Sequence, residues 1–162
     1  MNKQEIYNFI EKKQIWHEVT EHGAVFNMSE LSEVDLPYPK LIAKNIFIRD
    51  DKKRNYYLIT VKDDKRVNLK EFKTKYNTRH LSFVSENDLK NLLGLTAGSV
   101  SPLGLLNDSG LKVKFYLDRS FTLGKGIIGI HPNDNTATLW LKVEDLLDII
   151  EEHGNEVVIA DI

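Results

Sequence analysis

The chain contains no cysteine in its 162 residues. That excludes disulfides, a thiol nucleophile and zinc–thiolate sites, and it fits a reducing compartment. Long hydrophobic runs are missing as well. No stretch approaches the roughly 18 consecutive apolar residues that a membrane span needs, and the opening MNKQEIYNFIEKK lacks the apolar centre of a signal peptide. A cytoplasmic location without a membrane partner is the expectation. Neither sign of charge dominates: 22 Lys and Arg stand against 24 Asp and Glu, for a net charge of -2. The sequence has no P-loop, no Rossmann glycine fingerprint, no HExxH and no Gly-x-Ser-x-Gly elbow. Its five histidines (His17, His22, His80, His131 and His153) show no close metal-ligand pairing. No metal and no cofactor are expected.

What is present reads as a folded chain. With 28% charged and 41% hydrophobic residues, it has enough apolar surface to bury a core, and its length predicts a single domain over residues 1–162. Ile6, Phe9 and Ile10 share one face of a predicted helix over 3–13. A short strand is expected from His17 to His22. A helix over 28–34 would be capped by Asn27 or Ser29, and Leu36-Pro37-Tyr38-Pro39 reads as an extended connector. Ile42–Arg49 and Tyr56–Val61 are strands joined by a polar turn. Asn68 caps a helix over 69–76, and Leu81–Val84 is a strand. Ser85 to Asp88 opens a helix that Gly94 ends. After a Gly/Ser/Pro-rich loop over 94–110, a strand is expected at Lys112–Leu117. A second hairpin joins Gly126–Ile130 to Thr136–Leu141, a helix runs from Val143 to about Glu152, and Val157–Ile159 closes the chain. Without regular βαβ alternation, this order predicts an α+β fold with a mixed, largely antiparallel sheet.

Charge is unevenly distributed. Between Lys52 and Arg79, ten basic residues oppose three acidic ones, a local balance of +7 against -9 for the rest of the chain. Such a segment either attracts a polyanion or forms a plain solvated face.

Four segments carry candidate chemistry. Lys44 lies within the apolar run Leu41-Ile42-Ala43-Lys44-Asn45-Ile46-Phe47-Ile48. A lysine on the apolar side of a strand either has an anion or carbonyl partner or snorkels to solvent. Gly98-Ser99-Val100-Ser101-Pro102 is a loop whose glycine allows close backbone approach. Two of its N–H groups would suit a carbonyl oxygen gaining negative charge. His131, at a strand end before Pro132, is placed either to reach a pocket or to cap a local carbonyl. His22-Gly23-Ala24-Val25-Phe26 supplies a histidine and two apolar residues that suit a pocket wall or a core.

In this order and spacing, these segments resemble the free-standing prolyl-tRNA editing deacylases, the YbaK-like and ProX-like family related to the insertion domain of bacterial prolyl-tRNA synthetases. The resemblance runs from the first helix to about Glu152. It includes the flanks of the loop, Leu95-Thr96-Ala97 and Leu103-Gly104-Leu105-Leu106-Asn107-Asp108, whereas Gly23-Ala24 stand where prolines are more usual. It implies a barrel-like mixed sheet flanked by helices, and a trans-acting ester hydrolase that removes a wrong amino acid from tRNA(Pro). Alanyl-tRNA(Pro) is the expected substrate. A cysteinyl-tRNA(Pro) deacylase and a non-catalytic aminoacyl-tRNA sensor are the alternatives. The resemblance assigns catalysis to Lys44, Gly98, Ser99 and His131, and substrate binding to His22, Val25, Phe26, Asn45, Ser101 and Pro102. tRNA contact would fall to Lys52, Lys53, Arg54, Lys65, Arg66, Lys70 and Lys73. Besides tRNA(Pro), prolyl-tRNA synthetase is a candidate partner.

Overall fold

The computed structural model describes residues 1–31 and 33–162. Helix α1 (Lys3–Lys12) opens with a reciprocal cap: the Asn2 side chain accepts from the Glu5 N–H, and the Asn2 N–H donates to Glu5. It buries Ile6 and Ile10. Strand β1 (His17–Glu21) follows. Helix α2 (Met28–Leu31) is shorter than the expected 28–34. Its cap is Asn27, whose side chain accepts from the Glu30 N–H at 2.9 Å. Residues 33 and 34 form a turn and a bend, and Ser32 lies outside the described residues. The proline connector ends in a 3₁₀ turn, Pro39–Leu41.

Strands β2 (Ala43–Asp50) and β3 (Tyr56–Lys62) form the predicted hairpin. Its tip is organised by buried Asp50, whose carboxylate accepts from the N–H groups of Lys52 and Arg54 and from Asn55 Nδ2. Helix α3 (Leu69–Tyr76) carries the Asn68 cap, and β4 (Leu81–Phe83) returns to pair with β2. Ser85 caps α4 (Glu86–Leu93), and Gly94 ends it in the left-handed conformation at φ 66. Two 3₁₀ turns, Ala97–Ser99 and Pro102–Asn107, occupy the loop. The rest is β5 (Val113–Asp118), a 3₁₀ turn at Arg119–Thr122, β6 (Ile127–Ile130), β7 (Ala137–Lys142), α5 (Val143–His153) and β8 (Val157–Ala160).

The strands fall into two sheets: β1-β7-β6, all antiparallel, and β4-β2-β3-β5-β8. In the larger sheet β4-β2-β3 is antiparallel, while β3-β5 and β5-β8 are parallel. The mixed, largely antiparallel α+β architecture is therefore present. The sheets do not close into one continuous barrel but meet in the backbone at a bridge between Ile42 and Gly129. Side-chain packing joins them further. Phe47, Leu58, Phe115 and Leu117 of the larger sheet share a core with Ile128, Ile130, Leu139 and Leu141 of the smaller one, covered by α1, α4 and α5. The opposite face of the larger sheet carries Ile48, Tyr57, Ile59 and Tyr116 against Phe72 of α3. A third cluster, Val25, Leu31, Leu36, Ile42 and Trp140, lies beside the bridge. Among the described residues, no helix is long and apolar enough to cross a membrane.

Candidate active site

Beside the bridge between the sheets is a cleft of about 150 Å³. Four separate parts of the chain line it: residues 25–27 with Leu31, residues 43–45 at the head of β2, residues 97, 98 and 100, and His131 just beyond β6. Of the residues singled out in the sequence, the fold thus brings together Val25, Phe26, Lys44, Asn45, Gly98 and His131.

Strand alternation places Lys44 with Ile46 and Ile48, on the α3 side of the sheet. Its ammonium donates to the Lys65 carbonyl, in the loop after β3. The carbonyl partner demanded by an apolar strand is therefore supplied by the protein, and two of the three ammonium protons are left for a ligand. Asn45 points the other way and ties two elements together. Its Nδ2 donates to the Val100 carbonyl at 3.3 Å, and its Oδ1 accepts from Thr60 Oγ1 at 2.6 Å.

His131 Nδ1 lies 2.9 Å from the Ala137 carbonyl. A carbonyl only accepts, so Nδ1 carries the proton and Nε2 of the neutral ring presents a lone pair. Nε2 has no hydrogen-bond partner among the described residues. Burial pushes the His131 pKa below its ordinary value; His22 adds to the effect, while the Ala137 carbonyl and Asp134 oppose it. The ring is therefore held neutral at physiological pH, with an acceptor available at the cleft.

Several expected site residues stand elsewhere. The Ser99 N–H donates to the Thr96 carbonyl at 3.0 Å, and its hydroxyl bonds to Thr96 as well. Ser99 closes the 3₁₀ turn from a buried position and does not line the cleft. The Ala97 and Gly98 amides open that turn, where a helical segment has no carbonyl of its own to offer them. Ser101 and Pro102 are also buried. Ser101 Oγ accepts from the Leu103 N–H and caps the next turn, with Pro102 at its first position, where no N–H is needed. They shape the loop from beneath. His22 is one layer back: its Nδ1 donates to the Gly23 carbonyl, its Nε2 accepts from Thr138 Oγ1 at 3.1 Å, and its ring centroid is 6.4 Å from that of His131.

Sequence reasoning missed Asn27, Ala43, Ala97 and Val100 as lining residues, although each neighbours a residue it chose, and it missed Leu31, which reaches the cleft from the end of α2. It also missed Asn135, whose Nδ2 donates to the Val25 carbonyl at 2.8 Å and whose own carbonyl accepts from the Val25 N–H. Nothing beyond a turn-forming residue marked that position.

The basic segment is not one patch. Lys65 and Arg66 follow β3 at the cleft end. Lys52, Lys53 and Arg54 form the hairpin tip, roughly 23 Å away at about 3.3 Å per strand residue. Helix α3, with exposed Lys70 and Lys73, connects the two ends. Some of these cations already have partners: Lys53 pairs with Asp88 at 3.4 Å, and Lys65 pairs with buried Asp118 at 2.6 Å. The +7 run therefore folds into a ridge along α3 with two separated ends, because an antiparallel hairpin carries its tip away from its base.

Among the described residues, no group of three or more His, Cys, Asp or Glu could hold a metal ion. Fold and cleft together define a small-ligand site flanked by cations. The aminoacyl-tRNA editing domain matches residues 22–149, and the chain belongs to that family: by class it is an aminoacyl-tRNA deacylase, an ester hydrolase. It is 37% identical over 153 residues to the prolyl-tRNA editing protein ProX of Acetoanaerobium sticklandii, covering 94% of this chain and 93% of the relative. It is 34% identical over 147 residues to the prolyl-tRNA synthetase associated domain-containing protein 1 of Mus musculus, covering 89% and 86%. The fold matches a crystal structure described as a candidate trans-editing enzyme for prolyl tRNA synthetase, with a TM-score of 0.68, 17% identity and coverage of 99% and 96%.

Proposed function

We propose that residues 1–162 act as one trans-editing unit that hydrolyses alanyl-tRNA(Pro), and that tRNA(Pro) and prolyl-tRNA synthetase are its partners. The supporting observation is the size and lining of the cleft. At about 150 Å³ it is well below the roughly 300–1,000 Å³ of pockets for drug-sized ligands. It suits a small amino acid with the rest of the tRNA outside. Its wall combines apolar Val25, Leu31 and Ala43 with the polar groups that ester hydrolysis needs.

The need for such a site follows from pocket energetics. A synthetase pocket shaped for proline discriminates against a smaller side chain by only about 1–3 kcal/mol per methylene. A second site that admits alanine and rejects the larger proline removes the error. In this site the Gly98 N–H faces the carbonyl oxygen as it gains charge. The free protons of Lys44 hold the terminal phosphate or the ester. His131 Nε2 accepts a proton from the attacking water or from the ribose hydroxyl that orients it. Water adds to the carbonyl carbon, the bond to the ribose oxygen breaks as that oxygen takes up the proton His131 Nε2 accepted, and free alanine and uncharged tRNA leave. Arg66, Lys70 and Lys73 contact the tRNA backbone.

Purified protein mixed with alanyl-, cysteinyl- and prolyl-tRNA(Pro) tests this. Loss of alanine well above the spontaneous rate, with prolyl-tRNA(Pro) spared, is expected. Preferential loss of cysteine would move the substrate assignment to the cysteinyl ester. No acceleration with any of the three would overturn the hydrolytic reading and leave a binding module.

A further inference from the structure

We propose that Phe26 is a stacking platform for the base of the nucleotide that carries the ester, and that Gly98 is small so that this platform can sit against the carbonyl-binding turn. The proposal rests on the editing reading above.

Phe26 is 71% exposed, yet it lines the cleft. An aromatic ring left in water contributes nothing to the core, but its flanking backbone is firmly held. The Phe26 N–H donates to Glu30 Oε2 at 2.7 Å. Val25 beside it is buried and bonded at both its N–H and its carbonyl to Asn135. The ring is thus an exposed surface on a fixed base, a pre-organised arrangement that keeps the ordering cost of binding low.

Its neighbour sharpens the assignment. A Cβ on Gly98 would lie 3.3 Å from Phe26 Cδ1 and 3.4 Å from Asn135 Nδ2. A Cβ at position 98 would crowd the ring and touch the amide that anchors it, and a longer side chain would displace the ring from the turn. The glycine therefore sets the spacing between the ring and the turn as well as baring its amide.

The chemistry of the substrate supplies the occupant. An ester carbonyl at Gly98 leaves its own ribose at the mouth of the cleft, and the base of that nucleotide lies just outside. Phe26 is on that rim. Stacking reads no hydrogen-bond pattern, so it serves positioning and not sequence choice.

The test uses the full chain and a short uncharged RNA ending in CC followed by 2-aminopurine, whose fluorescence falls on stacking. It also uses single-turnover kinetics on alanyl-tRNA(Pro). With the wild type, saturable quenching is expected. Phe26→Ala should lose the quenching and raise the half-saturating enzyme concentration about 5- to 150-fold, the range for one base–aromatic stack, with a smaller change in the maximal rate. Phe26→Trp should restore both readouts, while Phe26→Leu, apolar but not aromatic, should not restore the quenching. Unchanged quenching and kinetics in Phe26→Ala would overturn the platform even where hydrolysis is intact. Phe26-dependent quenching by a protein that hydrolyses none of the esters would remove the editing reading and keep the platform.

Discussion

Lys44 serves two roles with one ammonium. It satisfies the Lys65 carbonyl, which fixes the loop after β3, and it lines the cleft. Its anomaly, a cation in an apolar strand, was visible in the sequence because burial without a partner is costly. Lys44→Ala should cut single-turnover deacylation about 100-fold or more, the scale of losing one transition-state donor. Far-UV circular dichroism should be unchanged, and wild-type rates in a folded variant would take Lys44 out of the mechanism. His131 gives a pH prediction. Its pKa is lowered, so the neutral ring survives to pH values below the ordinary histidine value of about 6.5. If Nε2 accepts the proton, the rate should hold through pH 6.5 and fall only further into acid, which a pH–rate profile at saturating enzyme reads directly. The unfolded chain binds the His131 proton more readily than the folded one, so this residue weakens the fold as pH drops below about 6.5. The Ser99 amide illustrates what residue identity does not carry. Gly-x-x-x-Pro announces a loop with exposed N–H groups, but which of them closes a 3₁₀ turn is decided by the Thr96 carbonyl.

At the scale of elements, the helices and hairpins were the legible part. Asn68, Ser85 and Gly94 punctuate the chain as capping chemistry requires, and both hairpins form where the polar turns lie. The extent of α2 and the reach of the basic segment were not legible, since each depends on where the chain goes next. A count of charge along the sequence treats Lys52 and Lys65 as near neighbours; the hairpin puts them at opposite ends. This separation has a measurable consequence. Replacing Arg66 and Lys70 together with glutamine should lower the slope of log affinity for tRNA(Pro) against log salt by about two, one for each phosphate no longer neutralised. Lys53→Gln, which removes a cation already paired with Asp88, should change it little. Equal effects from both variants would argue against the ridge near the cleft as the tRNA-binding surface.

For the molecule as a whole, the α+β class could be read from element order, but the division into two sheets could not. Pairing partners such as β5 with β3 and β8 are far apart in sequence, and no local pattern specifies them. Where the two sheets meet, Gly129 is the critical position. A Cβ there would fall 2.4 Å from Trp140 Cζ3, and Trp140 is fully buried, so its ring has no room to retreat. Gly129→Ala should cost about 1–3 kcal/mol by overpacking, seen as a lower midpoint in urea unfolding. It should also slow deacylation, because His131 is two residues along the same strand end; a variant of unchanged stability would show that the indole can move.

The cleft spans this joint. Ala43, Lys44 and Asn45 approach it from one sheet and His131 from the other, so a ligand that touches both acts as a tie-rod between two halves joined in the backbone by the Ile42–Gly129 bridge. A ligand gripped from both sides should therefore add to the hold between the sheets, and saturating ligand should raise the midpoint of urea unfolding.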